Sequence, residues 1–563
     1  MRFSDLFHRI NKISILSPSH SNALLLCGLC LGMLAFGACG EPSPTSAIEK
    51  QQEENPFFVC DMLSNKIHSI GFVMKINNRK PQVIRDETLD FYQANDYQVA
   101  WDQSNAEQVL DLLYKSNEHG FEPSNYRAVE IDTLIREIFV DKKYSGEEAL
   151  LRQLDLDIIL TASALSYITD VSYGRYSHKW DLKNKTTDLS QKLIDAFHSE
   201  SLGEAVAGVV ARPGSYKGLA SALKHYRQIA ENGGLQKVEA GTLSSKKETK
   251  SSKQLAKLLK QTQDYDEENA SGSFTPALKE ALHKFQERNG LVASNSLNKS
   301  TLKALNRPID EIISLLTLNM DRHRWLPDEL GEKYVFVNIP DFKVDIVEKE
   351  KSILDMRVVV GDVTSPTPVF TEDMTHVVFS PVWNIPTSIS HEQILDYLHH
   401  NPGFIYVSDV EVYHKGEKIT DPYAVDWKEA QNNRRDYSFK QKPTNQNALG
   451  DVKFMFPNKH AVYLHDTPSK DAFYQRYRAE SAGCVRVEKP AEMAVALLED
   501  KGWSLGGVQK AMNGTKQKYT YLSKPVPVYL YYFTAWVDES GTLQFRSDVY
   551  GQDRRQLKTL ETS

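Results

Sequence analysis

Cysteine is scarce in this chain. There are five in 563 residues, and Cys27, Cys30 and Cys39 all fall in one N-terminal apolar segment. Only Cys60 and Cys484 remain for the body, too few for a disulfide framework. Excess positive charge is missing as well. The formal net charge is −7, so nucleic acid has no electrostatic hold on the chain and is not expected as a partner. No His-Glu-x-x-His spacing occurs, and His399 and His400 are consecutive on an expected helix, so they diverge; no metal and no cofactor is expected. The longest apolar stretch, Ala23–Ala38, is short of the roughly 20 residues that a membrane-spanning helix needs. What remains is ordinary globular composition, 41% hydrophobic and 25% charged, with length for about three or four domains.

Arg2, Arg9 and Lys12 precede that apolar stretch, as in the positive region of an export signal. It ends Phe36-Gly37-Ala38-Cys39, with small residues at the two positions before Cys39, which resembles a lipoprotein cleavage site. Cleavage there would leave Cys39 N-terminal and lipid-modified; plain signal cleavage and an uncleaved anchor are the alternatives. Gly40 follows where Asp would retain a lipoprotein at the inner membrane, so in a Gram-negative cell the outer membrane is expected. Residues 1–39 are therefore read as signal and 40–56 as a flexible tether. A thiol kept through export to an oxidising compartment has a use, which singles out Cys484.

From 57 to 239 the pattern is helical. Leu151, Leu154, Ile158, Ala162, Leu165 and Ile168 recur at three- and four-residue steps, predicting an amphipathic helix with one buried face. His119 and His178 are isolated and read as structural, and Cys60 as an inert thiol. Residues 240–253 are polar and lysine-bearing, a linker. Over 253–308, Thr275 suits an N-cap, Pro276 the first helical position and Gly290 the stop, with Ala277, Leu278, Ala281, Leu282 and Phe285 on one apolar face. Asn298 caps a second short helix that turns Leu302 and Leu305 inward. Over 333–548 the period becomes that of strands: 334–339, 342–347, 356–360, 375–379, 452–456, 462–464 and 526–533. Glu488–Asp500 reads as a helix, and 387–443 interrupts the strands with a helix, His391–His400, and a polar stretch. The fold class is multidomain α+β: a helical N-terminal domain, a small three-helix unit and a β-dominated domain with an insertion.

Two segments of the last domain carry chemistry: Tyr463-Leu-His465-Asp466-Thr467-Pro468 and Ser481-Ala-Gly483-Cys484-Val-Arg486-Val. A free thiol has a pKa of about 8.5 and needs a base to attack near neutral pH. An imidazole supplies the base and, once protonated, a stabilising charge. Gly483 permits close backbone approach and leaves the Cys484 N–H, with its own, free for an oxyanion. A cysteine is more often a small buried hydrophobe, and a His–Cys pair also arises by chance. Successive strand residues face opposite ways, so Asp466 would not reach the His465 ring; a backbone carbonyl is the expected orienting partner. Tyr463 shares a face with His465, where it contacts substrate or simply packs. Arg486 shares one with Cys484, where it grips a carboxylate or forms a structural ion pair. Ser481 is a further site hydroxyl or a turn hydroxyl. A papain-like protease would place Cys before His, the reverse of this order.

His465 followed by Ser481-x-Gly483-Cys484-Val-Arg486 closely resembles the signature of the YkuD-type L,D-transpeptidases, cysteine enzymes that cross-link peptidoglycan; Ala482 stands where the family usually has a second His. The resemblance is to the long periplasmic branch. Phe91-Tyr92, Trp101, His119-Gly120-Phe121-Glu-Pro123, Tyr126 and Gly174-Arg175-Tyr176 look like its scaffold domain. Ala281-Leu282, Phe285-Gln286, Gly290-Leu291, Thr301-Leu302 and Leu305-Asn306 resemble a small peptidoglycan-binding domain, although a bare three-helix spacer would use the same residues. Gly361, Thr367-Pro368 and Ser380-Pro381-Val-Trp383-Asn384-Ile-Pro386 match the catalytic domain. The resemblance implies Cys484 as nucleophile, His465 as base and Gly483 in the oxyanion hole. It further implies stem peptides as donor and acceptor, release of D-Ala with a 3→3 cross-link, a carbapenem-reactive thiol and no cofactor. Residues 387–443 would be a lid carrying Trp427 to substrate, and the protein would be periplasmic, touching a membrane only through lipid on Cys39. With water as acceptor the same site is a carboxypeptidase, and with a protein amine it attaches that protein to the wall. A domain that had lost activity would be a wall-binding lipoprotein.

Overall fold

Small polar residues open the helices where the sequence supplies them. Thr275 accepts from the Leu278 N–H at 3.2 Å to start Pro276–Arg288, and Asn298 accepts from the Thr301 N–H at 2.9 Å to start Lys299–Leu305. Gly290 ends the first of these with φ +63°. The structure is a computed structural model and describes residues 56–68, 76, 79–175, 191, 193, 195, 215–266, 273–327 and 329–562. The signal, nearly all of the tether, Cys39, Tyr176 and His178 lie outside the described residues. Thr249 caps a further helix, Lys250–Gln261, that begins inside the stretch read as a linker. Its buried Leu255, Ala256, Leu258 and Leu259 outweigh the polar first turn, and the three helices share a core with Val238 and Tyr265.

The helical N-terminal domain is built around Gly146–Tyr173. Leu154, Ile158, Ala162, Leu165 and Ile168 are buried as their spacing predicts, but Leu151 is 37% exposed and Leu150 takes the inward place. Pro81–Ala94, Gln103–Tyr114 and Ala128–Ile135 pack around this helix. Asp157 sits within it, accepting from the Ala100 and Trp101 N–H groups and the Tyr92 hydroxyl, and burial pushes its pKa up to about 7. His119 is a packing residue, its Nδ1 3.0 Å from the Tyr216 hydroxyl.

The C-terminal domain begins with β1 (Lys333–Asn338), β2 (Lys343–Glu348), β3 (Lys351–Gly361) and β4 (Phe370–Phe379). A separate small sheet, β5 (Trp383–Asn384), β6 (Val410–His414), β7 (Glu417–Lys418) and β8 (Tyr437–Gln441), belongs to the insertion. The main sheet resumes with β9 (Val452–Met455), β10 (Leu464–His465), β11 (Ala479–Ser481), β12 (Val485–Val487) and β13 (Lys518–Tyr531), and β14 (Ala535–Val537) with β15 (Leu543–Phe545) forms a hairpin. The main order is β11-β3-β12-β10-β9-β4-β13-β1-β2, and β2 also pairs with β3, so the sheet curls back on itself. Val358, Val360, Val452, Phe454, Leu464, Val485 and Val487 face a core shared with Met493, Ala494, Leu497 and Leu498 of the helix Pro490–Leu498. Each such aliphatic side chain contributes about 1.5–3 kcal/mol by leaving water. β13 starts earlier than its apolar run, because Ser523-Lys524-Pro525 is absorbed as an irregularity in its pairing with β4, between Tyr521 and Val526.

Arg546 joins the three-helix unit to this domain, with one ion pair on either side of the junction. Arg288 and Asp264 meet at 2.6 Å, and Arg546 donates both to the Arg288 carbonyl and, at 2.5 Å, to Asp341. His323, the last residue of the helix Ile309–His323, stacks on Phe533 with ring centres 4.2 Å apart; burial, then the neighbouring Arg324 charge, lowers its pKa to about 3. An unfolded histidine takes its proton near pH 6.5, and this folded one only near 3, so stability drains away as pH falls through that window. His323→Phe keeps the stack and removes the proton site. Thermal melts from neutral pH to about pH 4 should show a shallower fall in Tm for the variant than for the wild type. Parallel curves would mean His323 does not carry the effect.

Candidate active site

Parallel pairing of Leu464 with Val485 and of His465 with Arg486 joins β10 to β12, and β9 places Lys453 opposite His465. Partners across a sheet share a face and every second residue returns to it. His465, Arg486, Lys453, Tyr463 and Cys484 therefore lie together on one side, while Leu464, Val485 and Phe454 enter the core.

The His465 ring is buried, and its Nδ1 lies 2.5 Å from the Asp466 carbonyl. A carbonyl only accepts, so Nδ1 holds the proton and Nε2 keeps a lone pair. The Asp466 carboxylate turns away to the Asp451 N–H at 3.0 Å, the Thr467 N–H at 2.7 Å and Lys470. Burial lowers the His465 pKa to about 3, the Arg486 charge adds to this, and the Asp466 and Leu449 carbonyls oppose it.

The Cys484 thiol faces the Ala461 carbonyl at 3.8 Å. Ala461 has φ +55° in a turn that Asn458 staples, accepting from the Val462 N–H at 3.2 Å and donating to its carbonyl at 2.7 Å. Burial raises the thiol pKa; the Tyr463 backbone and hydroxyl, Arg486 and Lys453 pull it back. Among the described residues no hydrogen bond joins Sγ to the His465 ring. The resting pair is a neutral thiol and a neutral imidazole, and bonds of this kind tighten when substrate arrives.

A network fixes the loop before the sulfur. Gly483, at φ +110°, donates its N–H to Ser481 Oγ at 3.2 Å, and the Ser481 hydroxyl donates to the Cys484 carbonyl at 2.5 Å. The Thr367 hydroxyl donates to the Gly483 carbonyl and accepts from the Gly361 N–H, both at 2.8 Å. Tyr550 donates to the Gly361 carbonyl at 2.6 Å and accepts from the Thr367 N–H at 3.3 Å. A Cβ on Gly361 would stand 2.1 Å from the Ser365 carbonyl oxygen and 3.0 Å from Gly483 Cα, so no larger residue fits.

Residues 332–502 match the model of the L,D-transpeptidase catalytic domain, YkuD. This stretch of the chain is similar to that catalytic domain. Residues 86–223 match a scaffold domain and 250–305 a peptidoglycan binding domain. A Haemophilus influenzae protein named as an L,D-transpeptidase is 34% identical over 270 residues, which cover 47% of this chain and 54% of that one. The chain thus spans about half the length of that curated relative. An L,D-transpeptidase from Xylanimonas cellulosilytica is similar at 14% identity over 52% of this chain and 98% of the other, with a TM-score of 0.17. The Ldtfm-avibactam carbamoyl enzyme follows at 10% identity, covering 40% and 63%, with a TM-score of 0.15. Overlaps that low carry no weight here.

In this domain the geometry corrects the readings of Gly483 and Trp427 and decides that of Ser481, which had stood open between site and turn. The Gly483 N–H is taken by Ser481, so of the two backbone donors only the Cys484 N–H stands without a partner among the described residues. Ser481 is a buried turn hydroxyl and not a substrate contact. Trp427 is 3% exposed and donates to the Pro422 carbonyl at 2.7 Å, inside the insertion's own core of Leu395, Leu398, Val412 and Phe439. It cannot touch substrate, because the insertion is large enough to need a core and Trp427 fills it. Arg486 forms no salt bridge among the described residues, and its buried Nε has no hydrogen-bond partner. Lys453, which sequence reasoning missed, lies over the Tyr463 ring at 5.4 Å, with its pKa lowered by burial. Thr367 and Tyr550 were missed as loop supports too; only the Thr367-Pro368 pattern hinted at the first.

Because Cys484 and His465 rest uncharged, alkylation of Cys484 by iodoacetamide should climb with pH beyond about 8.5, followed at its own peptide by mass spectrometry. A flat rate from acid to neutral pH, abolished by His465→Ala, would instead demand a resting thiolate–imidazolium pair.

Proposed function

We propose that the protein is a peptidoglycan L,D-transpeptidase that forms 3→3 cross-links through a thioester on Cys484. The observation that carries this reading is a thiol, a buried imidazole held at Nδ1 by a backbone carbonyl, and Arg486 and Lys453 without salt-bridge partners among the described residues, all on one sheet face of a domain similar to the transpeptidase catalytic domain. Sγ attacks the carbonyl carbon between the third stem residue and D-Ala, and its proton passes to His465 Nε2. The carbonyl oxygen becomes an oxyanion facing the Cys484 N–H, a contribution of about 3–4 kcal/mol per donor. The C–N bond then breaks, Nε2 returns the proton to the departing D-Ala amine, and the thioester remains. An amine of a second stem adds to that carbonyl and gives its proton to Nε2. The C–S bond breaks, and the proton returns to Sγ. Arg486 and Lys453 suit the stem's carboxylates and steady negative charge on sulfur. The insertion at 387–443 would serve as the cover that keeps water off the thioester.

Purified protein incubated with a disaccharide-tetrapeptide should yield a dimer lacking one D-Ala, absent with Cys484→Ala. Tripeptide alone would make the enzyme a carboxypeptidase. We also propose a periplasmic protein held at the outer membrane by lipid on Cys39, supported by the apolar stretch and Gly37-Ala38-Cys39. Cells fed labelled palmitate should label the wild type and not Cys39→Ser; equal labelling of both would sink the anchor.

A further inference from the structure

Two cross-strand rows run from the reaction centre across the sheet. The first is Arg486, His465, Lys453, Val378 and Tyr519, each paired with the next across β12, β10, β9, β4 and β13. The second lies two residues along each strand. It begins at Cys484 and Tyr463 and continues through Met455, His376 and Tyr521. Members of a row share a face, so both rows lie on the side of the thiol.

Their far ends are aromatic and open. The His376 ring lies 5.9 Å from Tyr519 and 5.1 Å from Tyr521. Tyr519 is 53% exposed and Tyr521 62%, and Gln517 Nε2 donates to the Tyr519 hydroxyl at 2.6 Å. This half of β13 has β4 on one edge only, since β1 pairs with β13 at Val528–Tyr531. The domain's core lies on the other face, so these two rings stabilise little of the fold; exposed aromatics in a cluster mark a contact surface. The cluster is continuous with the reaction centre, because the Lys453 charge acts on both Cys484 and His376.

We infer that Tyr519, Tyr521 and His376 form a platform for the amino sugar that bears the stem peptide engaged at Cys484. The inference rests on the L,D-transpeptidase reading. Four strand spacings of about 4.8 Å place the tyrosines about 19 Å from the start of each row. Three peptide residues separate the reacting carbonyl from the sugar. They span about 10 Å when extended, and a side-chain linkage plus the ether to the sugar lengthen this to roughly 15 Å. A pyranose ring then begins where the tyrosines stand. One face of such a ring is a set of C–H groups that stacks on a phenol, while its hydroxyls and acetamide meet the polar rim of Gln517 and the phenol oxygens. Two phenols and one imidazole suit one sugar ring. A stable protein partner needs about 800 Å² on each side.

The test compares the full chain acting on a disaccharide-tetrapeptide and on the same tetrapeptide without sugar. Tyr519→Ala and Tyr521→Ala should each lower kcat/KM for the glycosylated substrate by about tenfold, leaving the sugar-free substrate within about twofold of wild type. Tyr521→Phe, which keeps the ring and loses only the hydroxyl contact, should lose clearly less than Tyr521→Ala. The sugar-free rate also reports folding. Equal losses on both substrates, or none on either, would overturn the platform while the transpeptidase reading stands. A wild type that turns over neither substrate would remove that reading and the platform with it. Unchanged kinetics with a shift in sedimentation would give the patch to a second copy of the chain and overturn the sugar assignment.

Discussion

Two residues of parallel pairing between β10 and β12 hold the site together. They set His465 beside Arg486, and therefore the thiol beside Tyr463, although the two segments are separated in the chain by a loop and by β11. A ladder that short is weak alone. It holds because Leu464 and Val485 enter the core on the reverse face, and because hydroxyls from three places tie the loop before the sulfur. Ser481 closes the turn on itself, Thr367 bridges Gly361 to Gly483, and Tyr550 braces that bridge from near the end of the described chain. Thr367 and Tyr550 touch neither the thiol nor the imidazole, yet the position of the Cys484 N–H depends on them.

Burial decides the charge state of the site. It pushes the imidazole down and the thiol up, so the two rest as a neutral pair, while Lys453 and Arg486 have no salt-bridge partner among the described residues. Leaving a cation half-buried and unpaired costs stability that the fold must supply elsewhere. An anionic group of the proposed substrate would remove that cost on arrival, which would link recognition to the electrostatics that steady sulfur during attack. His465 keeps its orientation through a backbone carbonyl, so no acidic partner competes with substrate for those cations.

The insertion is a small folded unit and not a loop. Its core of Leu395, Leu398, Val412, Trp427 and Phe439 is separate from that of the main sheet, and its two ends are tied by β5 and β8, pairing Trp383 with Gln441, and by Asn447, which donates to the Pro381 and Lys442 carbonyls. The three-helix unit meets the C-terminal domain where Arg546 donates to the Arg288 carbonyl and Arg288 to the Leu543 carbonyl, and the pairs Arg288–Asp264 and Arg546–Asp341 hold those two side chains from within each unit.

Much of this was legible in the chain itself. Thr275, Pro276, Gly290 and Asn298 marked helix ends, because capping is a contact between near neighbours. The strand runs marked the sheet, because alternation is local, and Asp466 was excluded from the His465 ring by the same alternation. What the sequence misjudged depended on distant partners. Ser481, Gly483 and Trp427 had the composition of site residues, but their hydrogen bonds and packing were decided by Cys484, Thr367 and the insertion's core. Lys453 and Tyr519 carried no motif and joined the thiol's face only through strand register. The sequence by itself determined where a thiol, an imidazole and a guanidinium stand in the chain, since these are properties of side chains. Only the tertiary structure decided their charge and company, since burial and cross-strand pairing are made by residues far apart in the chain.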